Sequence, residues 1–302
     1  MKLVATVAEL RQALAAEKEK MSGSTRAQHA PGGRGEGGVS PAPRIGLVPT
    51  MGALHEGHLS LVRTSKAECS VTVVSIYVNP SQFGPGEDLA KYPRTLSGDL
   101  DKLAGCGVEF VLVPADAELY RPGHATWVEV GSVTEPLEGQ IRPGHFRGVA
   151  TIVLKLFCIS QADAAYFGQK DYQQALVVRR MVEDLNVPIE VRICPTIREP
   201  DGLAMSSRNA YLSAEGRRQA AVLWRSLEYA RRAVLDGQRD AEAIAGGMCE
   251  LIQAAGRATI EYVALVDPQT LRPVATLVGP TLAALAVRIE NTRLIDNCIL
   301  EC

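Results

Sequence analysis

The chain has 302 residues, 46% of them hydrophobic and 22% charged, with a formal net charge of −2; these are the proportions of a folded globular protein with room for two domains. A charge balance this even argues against the broad basic surface that nucleic acid requires, and no apolar run approaches the length of a membrane span. The seven cysteines form no Cys-x-x-Cys pair, and charge interrupts the first residues too early for a signal peptide, so buried free thiols in a cytoplasmic protein are expected.

In chain order, Met1–Arg11 reads as an amphipathic helix. Residues 22–43 follow as a compositional island, in which Gly, Pro and Ser supply 12 of 22 residues and Val39 is the only sizeable aliphatic. It can bury too little to offset its ordering entropy, so a disordered insertion is expected there. Beyond it the pattern alternates: a strand at Arg44–Thr50, a helix at His58–Glu68, and a β-branched strand at Ser70–Val78. A helix around Leu96–Ala104 precedes a strand at Val108–Val113, and a helix at Val149–Ile159 precedes one at Ala164–Phe167. The helix Tyr172–Leu185 and the strand Ile189–Cys194 complete the series.

Helices alternating with continuous apolar strands predict a Rossmann-like α/β fold, a parallel sheet with helices on both faces. Ligands bind such sheets at the carboxyl ends of the strands. From about Pro195 the pattern changes: a polar turn, a long helix at Arg217–Leu235, a helix at Ala241–Ala255, and strands at Thr259–Val266, Leu285–Ile289 and Leu294–Leu300. The expected division is a catalytic domain over 1–196 and a smaller C-terminal α+β domain over 197–302.

Four clusters carry chemistry. Met51-Gly-Ala-Leu-His-Glu-Gly-His58 joins the first strand to a helix, and helix N-termini offer unpaired N–H groups to phosphate. Gly57 would let the backbone approach a ligand closely, and His55 and His58 can donate to phosphate oxygens. A zinc site is not expected: the metalloprotease pair needs four-residue spacing on an unbroken helix, and this chain has five histidines in all. Asn79-Pro-Ser-Gln82 presents two carboxamides, suited to a ligand with hydroxyl and carboxylate groups. Gly168-Gln-Lys-Asp171, with Gln174 beyond, places Lys170 between a strand and a helix. Met205-Ser-Ser-Arg208 adds two hydroxyls and a guanidinium able to grip phosphate. Taken singly, each cluster also has an ordinary explanation as a solvated turn or helix start.

Together and in this order they resemble the pantothenate synthetase (pantoate–β-alanine ligase) family of the HxGH nucleotidyltransferase superfamily. The resemblance runs from about residue 44 to the C-terminus and includes Tyr92-Pro-Arg-Thr95, Arg142-Pro-Gly-His-Phe-Arg147, Asp201–Asn209 and Thr292-Arg-Leu-Ile-Asp-Asn297. It implies a two-step ligation through pantoyl adenylate, with ATP and magnesium, pantoate and β-alanine as substrates and no tightly bound organic cofactor. By matching position, Met51, Gly52, Ala53, Leu54, His55, Glu56, Gly57 and His58 would line the ATP site, as would Gly168, Gln169, Lys170, Asp171, Ile197, Met205, Ser206, Ser207 and Arg208. His55, His58, Lys170 and Arg208 would serve catalysis, and Gln82, Gln174 and Asn79 would hold pantoate or β-alanine. The resemblance also implies a homodimer whose small domain acts as a lid. Gln169 departs from the family's usual Glu, Ser81 from a larger residue, and the 22–43 island from a short connection. An adenylyltransferase of the same superfamily is the alternative enzyme, and a nucleotide-binding protein without turnover the alternative non-enzyme.

Overall fold

The computed structural model describes residues 1–27, 44–256 and 258–302. Five of the six residues of Val71–Ile76 are β-branched and all six are buried, the composition of a strand dry on both faces. It lies inside a parallel six-stranded sheet built from β1 (Lys2–Val4), β2 (Ile45–Thr50), β3 (Val71–Ile76), β4 (Phe110–Leu112), β5 (Ala164–Gly168) and β6 (Glu190–Cys194), in the order β1-β4-β3-β2-β5-β6. The direction of winding reverses between β2 and β5, which pair directly, Gly46 opposite Ala164. Loops leaving the carboxyl ends of these two strands diverge there and open a crevice.

Helices cover both faces, as expected. The helices α1 (Val7–Ala27), α2 (Glu56–Glu68), α3 (Leu96–Gly105), α4 (Asp116–Leu119), α5 (Glu138–Ile141), α6 (His145–Ser160) and α7 (Tyr172–Asp184) accompany the large sheet. Leu10 and Leu14 of α1 share one apolar cluster with Val149, Val153 and Phe157 of α6 and Val177 and Met181 of α7. Leu59 and Val62 of α2 and Leu103 of α3 pack into another cluster against Val48, Val74 and Val111.

Beyond residue 197 come α8 (Ala214–Ala220), α9 (Val222–Leu235), α10 (Ala241–Ala254), β7 (Ala258–Val266), β8 (Thr281–Ile289) and β9 (Thr292–Leu300). The three strands form a second, antiparallel sheet in the order β7-β8-β9. Because strand side chains alternate between faces, β8 sends Ala283, Leu285, Val287 and Ile289 toward α9 and α10. Its Leu282 and Ala284 join the core of the large sheet instead.

Three sequence expectations need correction. Lys2–Val4 is a strand, not the start of a helix: Lys2 N–H donates to the Glu109 carbonyl at 2.7 Å and Val113 N–H to the Val4 carbonyl at 2.9 Å. A three-residue strand is too short to declare a period. The following helix continues to Ala27, six residues into the glycine-rich island; extending a formed helix costs far less than starting one, and Gly23 is the one strong breaker in that stretch. The rest of the island, 28–43, lies outside the described residues. The single helix expected at Arg217–Leu235 is two, separated at Ala221.

Candidate active site

A cleft of about 1220 Å³, its open mouth included, lies over the junction of β2 and β5. The loop after β2 forms one wall. Gly52 has φ +82° and Ala53 φ +50°, left-handed conformations that turn the chain sharply into α2. The Asp99 carboxylate, fully buried on α3, holds this turn: Oδ2 accepts from Ala53 N–H and Oδ1 from Leu54 N–H, each at 2.8 Å. Lys102, one turn further along α3, donates to the Leu54 carbonyl at 2.5 Å. Neither Asp99 nor Lys102 belongs to a motif legible in the sequence.

The turn delivers two imidazoles as a reciprocal cap on α2. His55 Nδ1 accepts from Gly57 N–H at 3.2 Å, and His58 Nδ1 accepts from His55 N–H at 3.4 Å. Their ring centroids are 4.1 Å apart. A ring that accepts at Nδ1 is neutral with its proton on Nε2, so each keeps an N–H donor for another partner. Electrostatics favours the same state: burial, then the Lys170 cation, pushes His55 down to about 4, while burial and then His55 push His58 down to about 3. The glycine between them also serves the cap itself. A Cβ on Gly57 would stand 2.9 Å from the His55 ring folded over its N–H.

The wall after β5 is the turn Gln169–Asp171 leading into α7. Lys170 Nζ lies 3.5 Å from Asp171 Oδ1. Enclosure in the cleft works to raise the Asp171 carboxyl, but Lys170 and then Arg208 outweigh it and hold it below its ordinary range. Arg208, from the 3₁₀ turn Ser207–Tyr211, makes a bidentate pair with Asp88, Nε to Oδ2 at 2.8 Å and Nη2 to Oδ1 at 2.9 Å. Tyr92 lies against the same group, its hydroxyl 3.3 Å from Ser207 Oγ.

The floor carries the carboxamides. Gln82 Nε2 points to Met51 Sδ at 3.1 Å. Asn79, 1% exposed, spends its amide donors on Gln82 Oε1 at 3.1 Å and the Gly148 carbonyl at 3.2 Å. One N–H thus holds the Gln82 side chain and the other ties the turn to α6. The turn can seat so closely on α6 only because residue 148 is glycine; a Cβ there would lie 2.3 Å from the Ser81 carbonyl oxygen. His145 Nδ1 stands 2.8 Å from the Gln82 carbonyl, and Arg142 bridges His145 Nε2 and Glu87. Ser75 Oγ and Thr196 Oγ1 also line the cleft and are buried without protein partners.

Most of the predicted residues thus meet in one place: Met51, His55, Gly57, His58, Asn79, Gln82, Gly168, Lys170, Asp171, Gln174, Ile197, Met205, Ser206, Ser207 and Arg208 all line the cleft. Five do not. Gly52, Ala53 and Leu54 lie behind the wall, their turn fastened to α3; Glu56 faces outward and pairs with Arg63; and the Gln169 carbonyl is taken by Asn297. The sequence reading missed Tyr92, Asp88, Asp99, Lys102 and the His145–Arg142 support. Of these, Tyr92, Arg142 and His145 lie in stretches that carry the resemblance.

The family described as pantoate-beta-alanine ligase matches residues 3–299. A pantothenate synthetase of Roseiflexus sp. (strain RS-1) is 49% identical over 301 residues, 100% of each chain. A crystal structure of pantothenate synthetase from Thermus thermophilus superposes with a TM-score of 0.87 at 43% identity, covering 99% of both chains. One of a pantoate-beta-alanine ligase from Francisella tularensis, complexed with beta-gamma ATP and beta-alanine, superposes with a TM-score of 0.74 at 29% identity, covering 99% of this chain and 97% of that one.

Proposed function

The chain belongs to the pantoate–β-alanine ligase family, and from that premise we propose how its cleft joins pantoate to β-alanine with ATP to make pantothenate. A pantoate carboxylate oxygen attacks the α-phosphorus of ATP, the bond to the β-phosphate breaks, and pyrophosphate leaves. The β-alanine nitrogen then attacks the acyl carbon of pantoyl adenylate; the C–N bond forms, the C–O bond to AMP breaks, and the amine gives up a proton.

The reading rests above all on one observation: the neutral His55–His58 pair and the Lys170 turn flank a single cleft at the β2/β5 junction, with Gln82 and Gln174 beside them. His55 and His58 offer Nε2–H groups to the phosphates, His58 serving the departing pyrophosphate, and Lys170 and Arg208 offset charge as it builds in the transition state. Both histidines donate without having to lose a proton first. Gln82 and Gln174 bind pantoate, Asn79 keeps Gln82 in place, and Ile197 contributes a backbone contact to adenine. Magnesium enters with the triphosphate as part of the substrate.

Residues 1–196 act as the ATP- and pantoate-binding body and residues 197–302 as the part that closes over it, a division supported by the cleft's drawing Met205–Arg208 from the second part. The reading extends to a homodimer in the cytoplasm. Among the described residues no helix is long and apolar enough to cross a membrane, and sedimentation of the purified enzyme tests the dimer. For the chemistry, pantoate and MgATP alone should exchange labelled pyrophosphate into ATP. A requirement for β-alanine, or equal exchange without pantoate, would overturn the adenylate route.

A further inference from the structure

Thr292-Arg-Leu-Ile-Asp-Asn297 is conspicuous in the sequence, yet none of its residues lines the cleft. It runs along β9, where alternate side chains face opposite ways. Leu294 and Cys298 belong to the small core under α9 and α10. On the other face, Arg293 makes a bidentate pair with Glu138 of the large domain, both contacts at 2.7 Å. Two residues on from Ile295, Asn297 donates from Nδ2 to the carbonyls of Gln169 at 3.0 Å and Lys170 at 2.8 Å. These carbonyls belong to the turn that carries the Lys170 ammonium group into the cleft.

The orientation of that amide is fixed by chemistry. Turned over, Oδ1 would face two carbonyl oxygens with nothing to donate. As it stands, Oδ1 is buried without a protein partner, in a residue only 4% exposed. A buried amide oxygen left unpaired is costly, and a leucine-sized apolar residue would have avoided it. What the amide supplies is two donors at one point. The neighbouring Asp296 anchors β9 to the opposite wall: its carboxylate takes Arg198 at 2.6 and 3.0 Å, and Arg198 is adjacent to Ile197. One dipeptide therefore ties β9 to both sides of the cleft, beside an adjoining cavity that it lines together with Lys170, Asp171 and Gln174.

We propose that Asn297 is a positioning residue for Lys170: it fixes the Gln169–Asp171 turn from the small domain, so that the ammonium group stands where the phosphates develop charge. The proposal rests on the reading of Lys170 given above. It also means that the small domain contributes to the transition state through Asn297 as well as through Met205–Arg208.

The test is a double-mutant cycle read by pantoate-dependent pyrophosphate exchange, with rates normalised to folded enzyme. Asn297→Asp keeps the volume but presents an acceptor to two carbonyls; it should lower the exchange kcat about 10- to 100-fold, the range for a misplaced transition-state donor, and change the ATP KM by less. In a Lys170→Ala background the same substitution should cost less than about 3-fold, because the group it positions is gone. Asn297→Ser, a shorter donor, should recover part of the loss, and it carries the test if the aspartate variant does not fold. An equal loss in both backgrounds would make Asn297 a general packing residue and overturn the proposal. A Lys170→Ala enzyme with normal exchange would instead overturn the reading of Lys170, and the proposal with it.

Discussion

Two loops face the end of the cleft proposed to take the phosphates, and they are held in opposite ways. The histidine loop is complete in itself: Asp99 takes two of its N–H groups, Lys102 one of its carbonyls, and the two imidazoles cap each other's backbone. Nothing in it must be released before a ligand is met. The Ser206–Arg208 loop is different, because its guanidinium is already committed to Asp88 through two hydrogen bonds. To grip a phosphate with the same edge, Arg208 has to leave that partner. One loop is preorganised, which favours the chemical step; the other would have to exchange one anion for another to take phosphate, which would link binding to movement.

That contrast can be broken by four measurements. The largest effect is expected at the fixed loop: His58→Ala should lower pyrophosphate exchange by about 10²- to 10³-fold, the scale for one preorganised transition-state donor. A near-normal kcat would remove His58 from its assigned role. Asp99→Asn comes next. It leaves one N–H of the turn poorly paired and should reduce kcat about 10-fold, in line with a charge-assisted hydrogen bond, while altering the ATP KM little. If Asp99→Asn changed only KM, the loop would be a binding device after all.

At the exchanging loop the sign reverses. Asp88→Asn removes the competing anion, so the ATP KM should fall by about 2- to 5-fold, the range of a partly exposed ion pair. A large loss of kcat would mean that Asp88 orients Arg208 for chemistry and does not merely compete for it.

The smallest effect concerns pH. His55 and His58 have folded pKa values lowered to about 4 and about 3, against about 6.5 for an unperturbed histidine. The unfolded chain therefore takes up protons first as pH falls below about 6.5, and stability drops across the window down to about 4 and 3, where the folded rings charge as well. Above pH 6.5 neither ring contributes any slope. Proton NMR of the two ring Cε1–H signals should show little titration between pH 8 and 5; a midpoint near 6.5 would mean that the rings are not buried as described.

The contrast also explains what the sequence disclosed. His55, His58, Lys170 and Arg208 were legible because each sits at a strand-to-helix junction or in a motif, where residue type and spacing carry the chemistry. The large sheet was legible for a similar reason: β-branched runs such as Val71–Ile76, alternating with helical patterns, are the signature of a parallel sheet covered on both faces. Asp99 was not legible, because an acid on an amphipathic helix reads as surface until the fold brings it against residues 46 positions earlier. That the Asn79 amide reaches the Gly148 carbonyl was not legible either, because nothing local reveals that α6 lies so close. Asn297 belonged to a recognised stretch, but its partners lie 127 and 128 residues away. Pairings of that range are set by topology, and local pattern has no access to them.

The second sheet bears on how this enzyme comes apart. Eight of the nine residues of β8 are buried, Arg288 being the exception, and six of them divide between the core under α9 and α10 and the core of the large sheet. Such a strand has no wet side along which one layer could peel from the other. Heat should therefore melt both halves in one cooperative step, and a fragment ending near residue 196 would present the vacated seat of Leu282 and Ala284 to water as a site for aggregation. For anyone building chimaeras from relatives of this chain, the natural joint is not the change of pattern at Pro195; β8 has to travel with whichever body supplies the layer on each of its sides.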